Sequence, residues 1–450
     1  MQAVTTEPTS LTTALQAHIV QAIAAHGGWI GFDRFMELAL YTPGLGYYAG
    51  DLPKFGALPS SGSDFVTAPE MTPLFGQTLA VQVAEALART GTHEVWEFGA
   101  GSGALALQLL DALGDAVRRY TIVDLSGSLR ARQQALLTAH EGKVRWVDAL
   151  PERMEGVVVG NEVLDAMPVK LLARHGGAQG GVWHERGVTV QNGTFAWEDR
   201  PTDLRPPVEI EGPQDYLTEI HPQAEAFIRT LAERLVRGAA FFIDYGFPEA
   251  EYYHPQRHMG TLICHRAHRS DSNPLADVGQ KDITAHVNFT GIALAAQDAG
   301  LAVLGYTSQG RFLLNAGLLT LAQAADARQN AMMQKLLNEH EMGELFKVLV
   351  LGSGLWMLGR VAKQTVQSGA SFDMPVAWTI MTVLGVLMVA IFMHSRFAIY
   401  KRLGQAVAAS QSLYSTRHTE EGDQPDEASR TETLTGDRQF KEPLGERAAQ

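Results

Sequence analysis

Residues 93–110, HEVWEFGAGSGALALQLL, join a short apolar strand to a helix-forming run through glycines at 99, 101 and 103. Glycine tolerates positive φ and lets a ligand approach the backbone closely. The start of the following helix offers unpaired N–H groups. Asp124 ends the next strand, YTIVD, where a carboxylate accepts hydrogen bonds from ribose hydroxyls. The run Gly99 to Ala104 also satisfies the GxGxxA form of a dinucleotide fingerprint, and a structural turn is a third reading. Two details favour S-adenosylmethionine over a dinucleotide. Glu97, two residues before the first glycine, suits an ammonium group and would not help a pyrophosphate. The turn also begins nearly a hundred residues into the chain, whereas dinucleotide folds often open with it.

A second group of polar residues follows the apolar run GVVVG, with Asn161, Glu162 and Asp165 at the carboxyl end of an expected sheet strand. Ligands meet open α/β sheets at this end. Glu162 and Asp165 are three apart and line one side of a pocket if the turn is helical. The competing role for Asp165 is a helix cap. Asp64, Phe65, Thr67, Pro69 and Glu70 read as a lid or as the entry to the helical pattern of Leu74, Phe75 and Leu79. Tyr47 and Tyr48 could pack beside that lid. Asp244, closing a buried strand with Tyr245, is expected to face the substrate. Five histidines, 254, 258, 265, 268 and 286, cluster without an HExxH pattern, and Pro255 separates the first two. No metal is expected there.

These residues need a scaffold, and the hydropathy pattern supplies one. Strand-like runs at 94–98, 120–124, 143–147, 157–160 and 239–244 alternate with helical patterns at 103–113, 127–139 and 221–237. This predicts an α/β fold with a mostly parallel sheet and helices on both faces. Ser10, followed by Leu11, Leu15, Ile19 and Ile23, reads as a capped amphipathic helix. Asn192-Gly193 between VWHERGVTV and TFAW is a hairpin signal, an insertion beside the sheet.

The chain has 450 residues, 46% hydrophobic, with a net charge of −13 and one cysteine, Cys264. That composition excludes wholesale disorder, and the acidity without a basic block argues against nucleic acid. One cysteine allows no internal disulfide and fits a reducing compartment. Arg34 is the first basic residue, so no targeting signal is expected. Residues 375–393, PVAWTIMTVLGVLMVAIFM, carry no charge and are long enough for a transmembrane helix. The expected organisation is a catalytic domain at 1–355, a linker at 356–374, the span, and a polar tail at 394–450 that is disordered from about 410. Within the catalytic domain, 10–90 reads as a helical and lid region, 91–170 as the cofactor-binding core, and 171–350 as the hairpin and substrate region. A bacterial inner-membrane location follows, with the catalytic domain in the cytoplasm; a soluble cytoplasmic protein is the alternative.

Nine motifs in order resemble a known family. They are YTPGLGYY (41–48), SDFVTAPEMTPLFGQ (63–77), EFGAGSG (97–103), NEVLDAMPV (161–169), EIHPQAEAF (219–227), IDYGFP (243–248), GTLICHRAH (260–268), DITAHVNF (282–289) and MGELFKVL (342–349). The chain is similar to the methyltransferase class that includes the mitochondrial complex I assembly-factor arginine methyltransferase and its bacterial relatives. The likeness covers about residues 10–350. It departs at FGALPSSGSDF, where relatives carry a glycine-rich lead, and it leaves the segment after 355 unaccounted for.

That resemblance implies a Rossmann-like fold binding S-adenosyl-L-methionine, and a protein substrate, in particular a respiratory complex I subunit. By the same analogy Glu97, Gly99, Ala100, Gly101 and Gly103 hold the methionine portion, and Asp124 and Leu125 the ribose side. Asp148 and Ala149 reach the adenine edge, or form a surface turn. Asn161, Glu162 and Asp165 become the catalytic group. A non-enzymatic assembly chaperone and a small-molecule methyltransferase are the alternatives.

Overall fold

A computed structural model describes residues 9–50, 66–124, 127–176, 181–266 and 268–353. All belong to the first of the two units into which the chain divides, Met1–Ala370. The expected span 375–393 and the polar tail lie outside the described residues, as do Asp64, Phe65 and Leu125.

The centre is an eight-stranded sheet, numbered here in chain order. Its strands are β1 (Glu94–Phe98), β2 (Arg119–Val123), β3 (Val144–Val147), β4 (Met154–Asn161), β5 (Leu235–Phe247), β6 (Val287–Asn288), β7 (Leu301–Ser308) and β8 (Phe346–Ser353). In space they run β3-β2-β1-β4-β5-β8-β7, with β6 on the end of β5. Strands β1 to β5 are mutually parallel, whereas β8 runs antiparallel to both β5 and β7. The chain order reverses between β1 and β4, and a crevice opens there at the carboxyl ends of the strands. Register puts Phe98 beside Gly160, so the glycine turn and the Asn161 loop leave the sheet side by side.

The burial pattern explains the strands. Val157, Val158 and Val159 of β4 are all buried, as expected of a strand covered on both faces. One face packs against helices Leu74–Thr90 and Ala104–Leu113 through Leu79, Val83, Leu109, Val157 and Val159. The other packs against Pro222–Arg234 and Phe289–Asp298 through Ile228, Ile292, Val158 and Phe242. The expected helices at 103–113, 127–139 and 221–237 appear as Ala104–Leu113, Gly127–Leu136 and Pro222–Arg234.

A second, antiparallel sheet joins Trp29–Gly31, Lys170–Arg174, Trp183–Gln191, Thr194–Pro201 and Tyr216–Ile220. Its hairpin turns at Asn192 and Gly193, with φ of 52° and 76°, as a type I′ turn demands. The helix Thr9–Ala25 packs Leu15, Ile19 and Ile23 onto the same cluster as that sheet. Side chains of this helix are described from Thr13 onward, so the expected Ser10 cap lies outside the described residues. A small sheet of Ile263–Arg266, Arg269–Asp271 and Asp282–Thr284 brings the GTLICHRAH and DITAHVNF motifs together.

The membrane expectation rests on residues 375–393, which lie outside the described residues. Among the described residues no helix is long and apolar enough to cross a membrane. The longest, Thr9–Ala25 and Leu74–Thr90, have 17 residues each, or about 25 Å at 1.5 Å per residue, short of a core about 30 Å thick. Each also turns one face inward and leaves the other exposed.

Candidate active site

A cavity of about 1160 Å³ opens at the carboxyl ends of β1, β2, β4 and β5. Six carboxylates line it, from Glu37, Glu97, Asp124, Glu162, Asp165 and Asp282, and no lysine or arginine stands among its described lining residues. Such a lining favours cations.

One end is built by the glycine turn. Gly99, Gly101 and Gly103 have φ of 61°, 53° and 88°, values that side chains carrying a Cβ adopt only with strain. Gly99, Ala100, Gly101 and Ser102 form the wall, whereas Gly103 begins the helix Ala104–Leu113 and does not line the cavity. Glu97, next to last in β1, is buried, and its Oε2 accepts a hydrogen bond from Tyr120 Oη at 2.8 Å. Burial pushes the Glu97 carboxyl up to about 8, which an ammonium guest would reverse.

The turn has a support that local sequence gives no sign of. Gln133, fully buried on helix Gly127–Leu136, donates from Nε2 to the Gly101 carbonyl at 3.0 Å and to Asp124 Oδ2 at 2.9 Å. Its Oε1 accepts from Trp146 Nε1 at 2.8 Å. One amide therefore ties the glycine turn to the acidic end of β2. Asp148 and Ala149 depart from expectation. Both are exposed and outside the lining, and the Asp148 carboxylate pairs with Arg130. An arginine one helix away competes for this carboxylate and turns it outward.

The loop after β4 builds the other end. Asn161, Glu162 and Asp165 all line the cavity. Glu162 has φ of 54°, a strained value for a residue with a side chain, held by its N–H donating to the Ile243 carbonyl at 2.8 Å. Asn161 Nδ2 donates to Glu162 Oε1 at 3.0 Å. Burial, reinforced by the Asp165 charge, raises the Glu162 carboxyl to about 8. Burial likewise raises Asp165 to about 6, against the hydrogen bond that Tyr245 donates. Two oxygens here, Asn161 Oδ1 and Asp165 Oδ1, are buried without a hydrogen-bond partner among the described residues. Orphaned buried acceptors cost stability, and both belong to residues of the cavity lining.

Asp244 corrects its expected place. It does not line the cavity; its Oδ2 accepts the backbone N–H groups of Val163, Leu164 and Asp165 at 3.1, 2.8 and 3.3 Å. Alternation along a strand sends neighbours to opposite sides, so Tyr245 faces the cavity instead, with Oη donating to Asp165 Oδ2 at 2.6 Å.

The third wall comes from distant segments. Tyr48 Oη donates to Asp282, 2.8 Å from each carboxylate oxygen. Tyr41 stacks on Tyr48 with ring centroids 5.5 Å apart and donates to the Ala166 carbonyl at 2.8 Å. Asp282, Thr284 and His286 all line the cavity from one strand and its exit. Position alone in DITAHVNF did not single out Asp282, although a polar residue at alternate places in an apolar strand was the available signal. Of the histidines, 265 and 286 reach the cavity, while 254, 258 and 268 are exposed. Burial lowers the His286 imidazole to about 4. No metal-holding group of side chains occurs among the described residues.

The segment expected as a lid or a helix entry is described from Val66 onward. Thr67 and Pro69 line the cavity; Glu70 does not, but its charge helps to raise Glu162. Thr67 precedes the short helix Ala68–Met71 without a side-chain capping bond. Gln108 pins the segment, donating from Nε2 to the Pro69 carbonyl at 2.7 Å and accepting from the Gly76 N–H at 3.0 Å.

Residues 78–307 match the family model described as "Putative S-adenosyl-L-methionine-dependent methyltransferase". A superfamily member from Burkholderia thailandensis, crystallised bound to S-adenosyl-homocysteine, is 51% identical. It has a TM-score of 0.73, with 77% of this chain and 94% of that one covered. The protein arginine methyltransferase NDUFAF7 of Danio rerio is 25% identical over 411 residues, 81% of this chain and 93% of the relative. The Caenorhabditis elegans homologue is 25% identical over 342 residues, 68% of this chain and 77% of the relative. Both names carry the designation mitochondrial. Together with the lack of any spanning helix among the described residues, this overturns the inner-membrane location expected from sequence.

Proposed function

We propose, for a chain that belongs to the S-adenosyl-L-methionine-dependent methyltransferase family and takes its methyl group from that donor, that the acceptor is the guanidinium of a protein arginine. The carrying observation is the pair of orphaned acceptors, Asn161 Oδ1 and Asp165 Oδ1, beside Glu162 in a cavity whose described lining has six carboxylates and no basic residue. A guanidinium brings five N–H donors in a rigid plane and a charge that it does not lose. The relatives named as protein arginine methyltransferases support the same acceptor. We place that arginine on a respiratory complex I subunit, following the motif resemblance. Apolar residues such as Leu129, Phe227 and Phe346 share the lining with the carboxylates, so a small-molecule acceptor stands as the second reading.

The mechanism follows from the two ends of the cavity. The sulfonium donor supplies an already activated methyl group. Glu97 would hold its ammonium, Asp124 its ribose, and the wall from Gly99 to Gly101 its methionine backbone. Glu162 and Asn161 would orient one guanidinium nitrogen toward the methyl carbon, so that positioning carries most of the acceleration. As the N–C bond forms and the C–S bond breaks, its electron pair staying on sulfur, the substituted nitrogen must lose a proton. Asp165 Oδ1 would take it. Burial raises Asp165 to about 6, close to the value that suits a general base near neutrality.

The test is transfer of radiolabelled methyl groups from S-adenosyl-L-methionine to arginine-containing peptides and to proteins co-purified with the full chain. Digestion and mass spectrometry then locate the label. Label on arginine that is lost in Asp165→Asn supports the reading, and label confined to lysine, carboxylates or small molecules refutes it.

A further inference from the structure

We propose that Asp244 and Tyr245, adjacent at the end of β5, form a two-residue latch that presets the acceptor loop. Asp244 fixes its backbone from beneath, and Tyr245 occupies one carboxylate oxygen of Asp165, a residue of the cavity lining, leaving the other without a partner among the described residues. This rests on the reading of Asp165 as an acceptor-side carboxylate, and it assigns Tyr245 a positioning role.

The geometry divides the work. Asp244 is 1% exposed, and one of its oxygens gathers three successive N–H groups of the loop, from Val163 to Asp165. Its other oxygen accepts the Tyr245 N–H at 3.0 Å. The carboxylate thus braces both the loop and the residue that completes the latch. These bonds offset the strain at Glu162, whose positive φ starts the loop. Tyr245 then acts on the side chain. Its hydroxyl occupies Asp165 Oδ2 at 2.6 Å and leaves Oδ1 as the acceptor without a partner among the described residues. The ring cannot swing away readily. It is wedged edge-on between His286, 5.1 Å away, and Phe346, 5.4 Å away.

Removing the hydroxyl deprives the ionised Asp165 of a donor and so raises its midpoint, because hydrogen bonds to the charged form favour it. The ionisable groups around Asp165 are Glu162 on its own loop, Asp244 and Tyr245 on β5, Asp282 on the neighbouring small sheet, and Tyr41 and Tyr48. All except Tyr245 itself remain in Tyr245→Phe. A charge-assisted bond of this kind corresponds to a shift of about one pH unit.

The experiment uses the full chain carrying carboxyl-labelled aspartate, with the Asp165 signal assigned through Asp165→Asn. Carbon NMR titration of wild type and Tyr245→Phe is expected to show the Asp165 midpoint about one pH unit higher in the variant. The acid limb of kcat/KM for arginine methylation moves with it, while donor affinity stays within about twofold. An unchanged Asp165 midpoint, or a loss of donor affinity equal to the loss of activity, overturns the positioning role. If wild type fails to methylate arginine, the acceptor assignment falls, and the NMR midpoint still decides the latch. Asp244→Asn is expected to raise amide exchange at Leu164 about tenfold; unchanged protection removes Asp244 from the proposal. Should that variant not fold, Tyr245→Phe, which deletes a single oxygen, carries the decision.

Discussion

Glu162→Gln removes a carboxylate of the loop after β4 whose charged form burial disfavours, at almost constant shape. Glu162 has a carboxyl lifted from 4.5 to about 8, first by burial and then by Asp165. The unfolded chain sheds this proton near 4.5, whereas the folded chain keeps it until about pH 8. Between those values the folded state binds more protons, so Glu162 makes stability fall as pH rises through the window, and the fall is complete above about 8. At about 1.4 kcal/mol for each tenfold change in proton affinity, the full rise is on the order of 5 kcal/mol. Glu162 keeps some accessible surface toward the cavity, which makes that figure an upper bound. Glutamine has no proton to lose, and Asp165 and Asp244 then feel one charge fewer. Urea unfolding between about pH 5 and 9 is expected to show a stability advantage for Glu162→Gln that grows by several kcal/mol toward alkaline pH. The same variant is expected to lower methyl transfer while leaving donor affinity nearly intact. An arginine peptide added to wild type near pH 7 is expected to expel close to one proton. Calorimetry in buffers of different ionisation enthalpy reads that release. Parallel stability profiles for the two proteins would refute the desolvated-carboxylate argument, whatever the activity of the variant.

Three further perturbations separate the two ends of the cavity. Gly101→Val places a side chain on the cavity wall at a φ of 53°; calorimetry is expected to find no donor binding in a folded protein, and retained affinity would refute the assignment. Gln133→Leu cuts the bonds to Gly101, Asp124 and Trp146. It is expected to weaken donor binding about tenfold to a hundredfold, from about 1 kcal/mol or more per buried bond, with unchanged affinity as the opposing result. Tyr48→Phe frees Asp282 from its hydroxyl donor and is expected to raise KM for an arginine peptide about tenfold while sparing donor affinity. Equal loss of both would instead mark Tyr48 as a structural member of the Tyr41 stack.

Features governed by neighbouring residues were legible without coordinates. The strand ending at Phe98, the turn through Gly99, Gly101 and Gly103, and the helix from Ala104 depend on local backbone freedom and on a hydropathy period changing from strand to helix. The turn at Asn192-Gly193 was legible for the same reason, since positive φ at two successive positions admits few residue pairs. Asn161, Glu162 and Asp165 were found because they follow an apolar strand, and parallel sheets expose that end of every strand to ligand.

What local pattern could not reveal was which distant groups would meet. Asp244 and Tyr245 are adjacent, and only the packing of β5 against β4 decides that the carboxylate goes under the loop while the tyrosine enters the cavity. Asp148 seemed free to contact a ligand until Arg130 claimed it from a neighbouring helix. Gln133 looks like one more polar helix residue, yet tertiary packing buries it completely and spends its amide on the glycine turn. Asp282 enters the site only because a separate small sheet folds over the cavity. The α/β scaffold, the glycine turn and the carboxylates at the end of β4 follow from local pattern, because backbone preferences and hydropathy act over a few residues. The tertiary structure alone decided the shared cavity, its balance of charge and the oxygen left free on Asp165, because desolvation and hydrogen-bond competition depend on contacts between segments far apart in the chain.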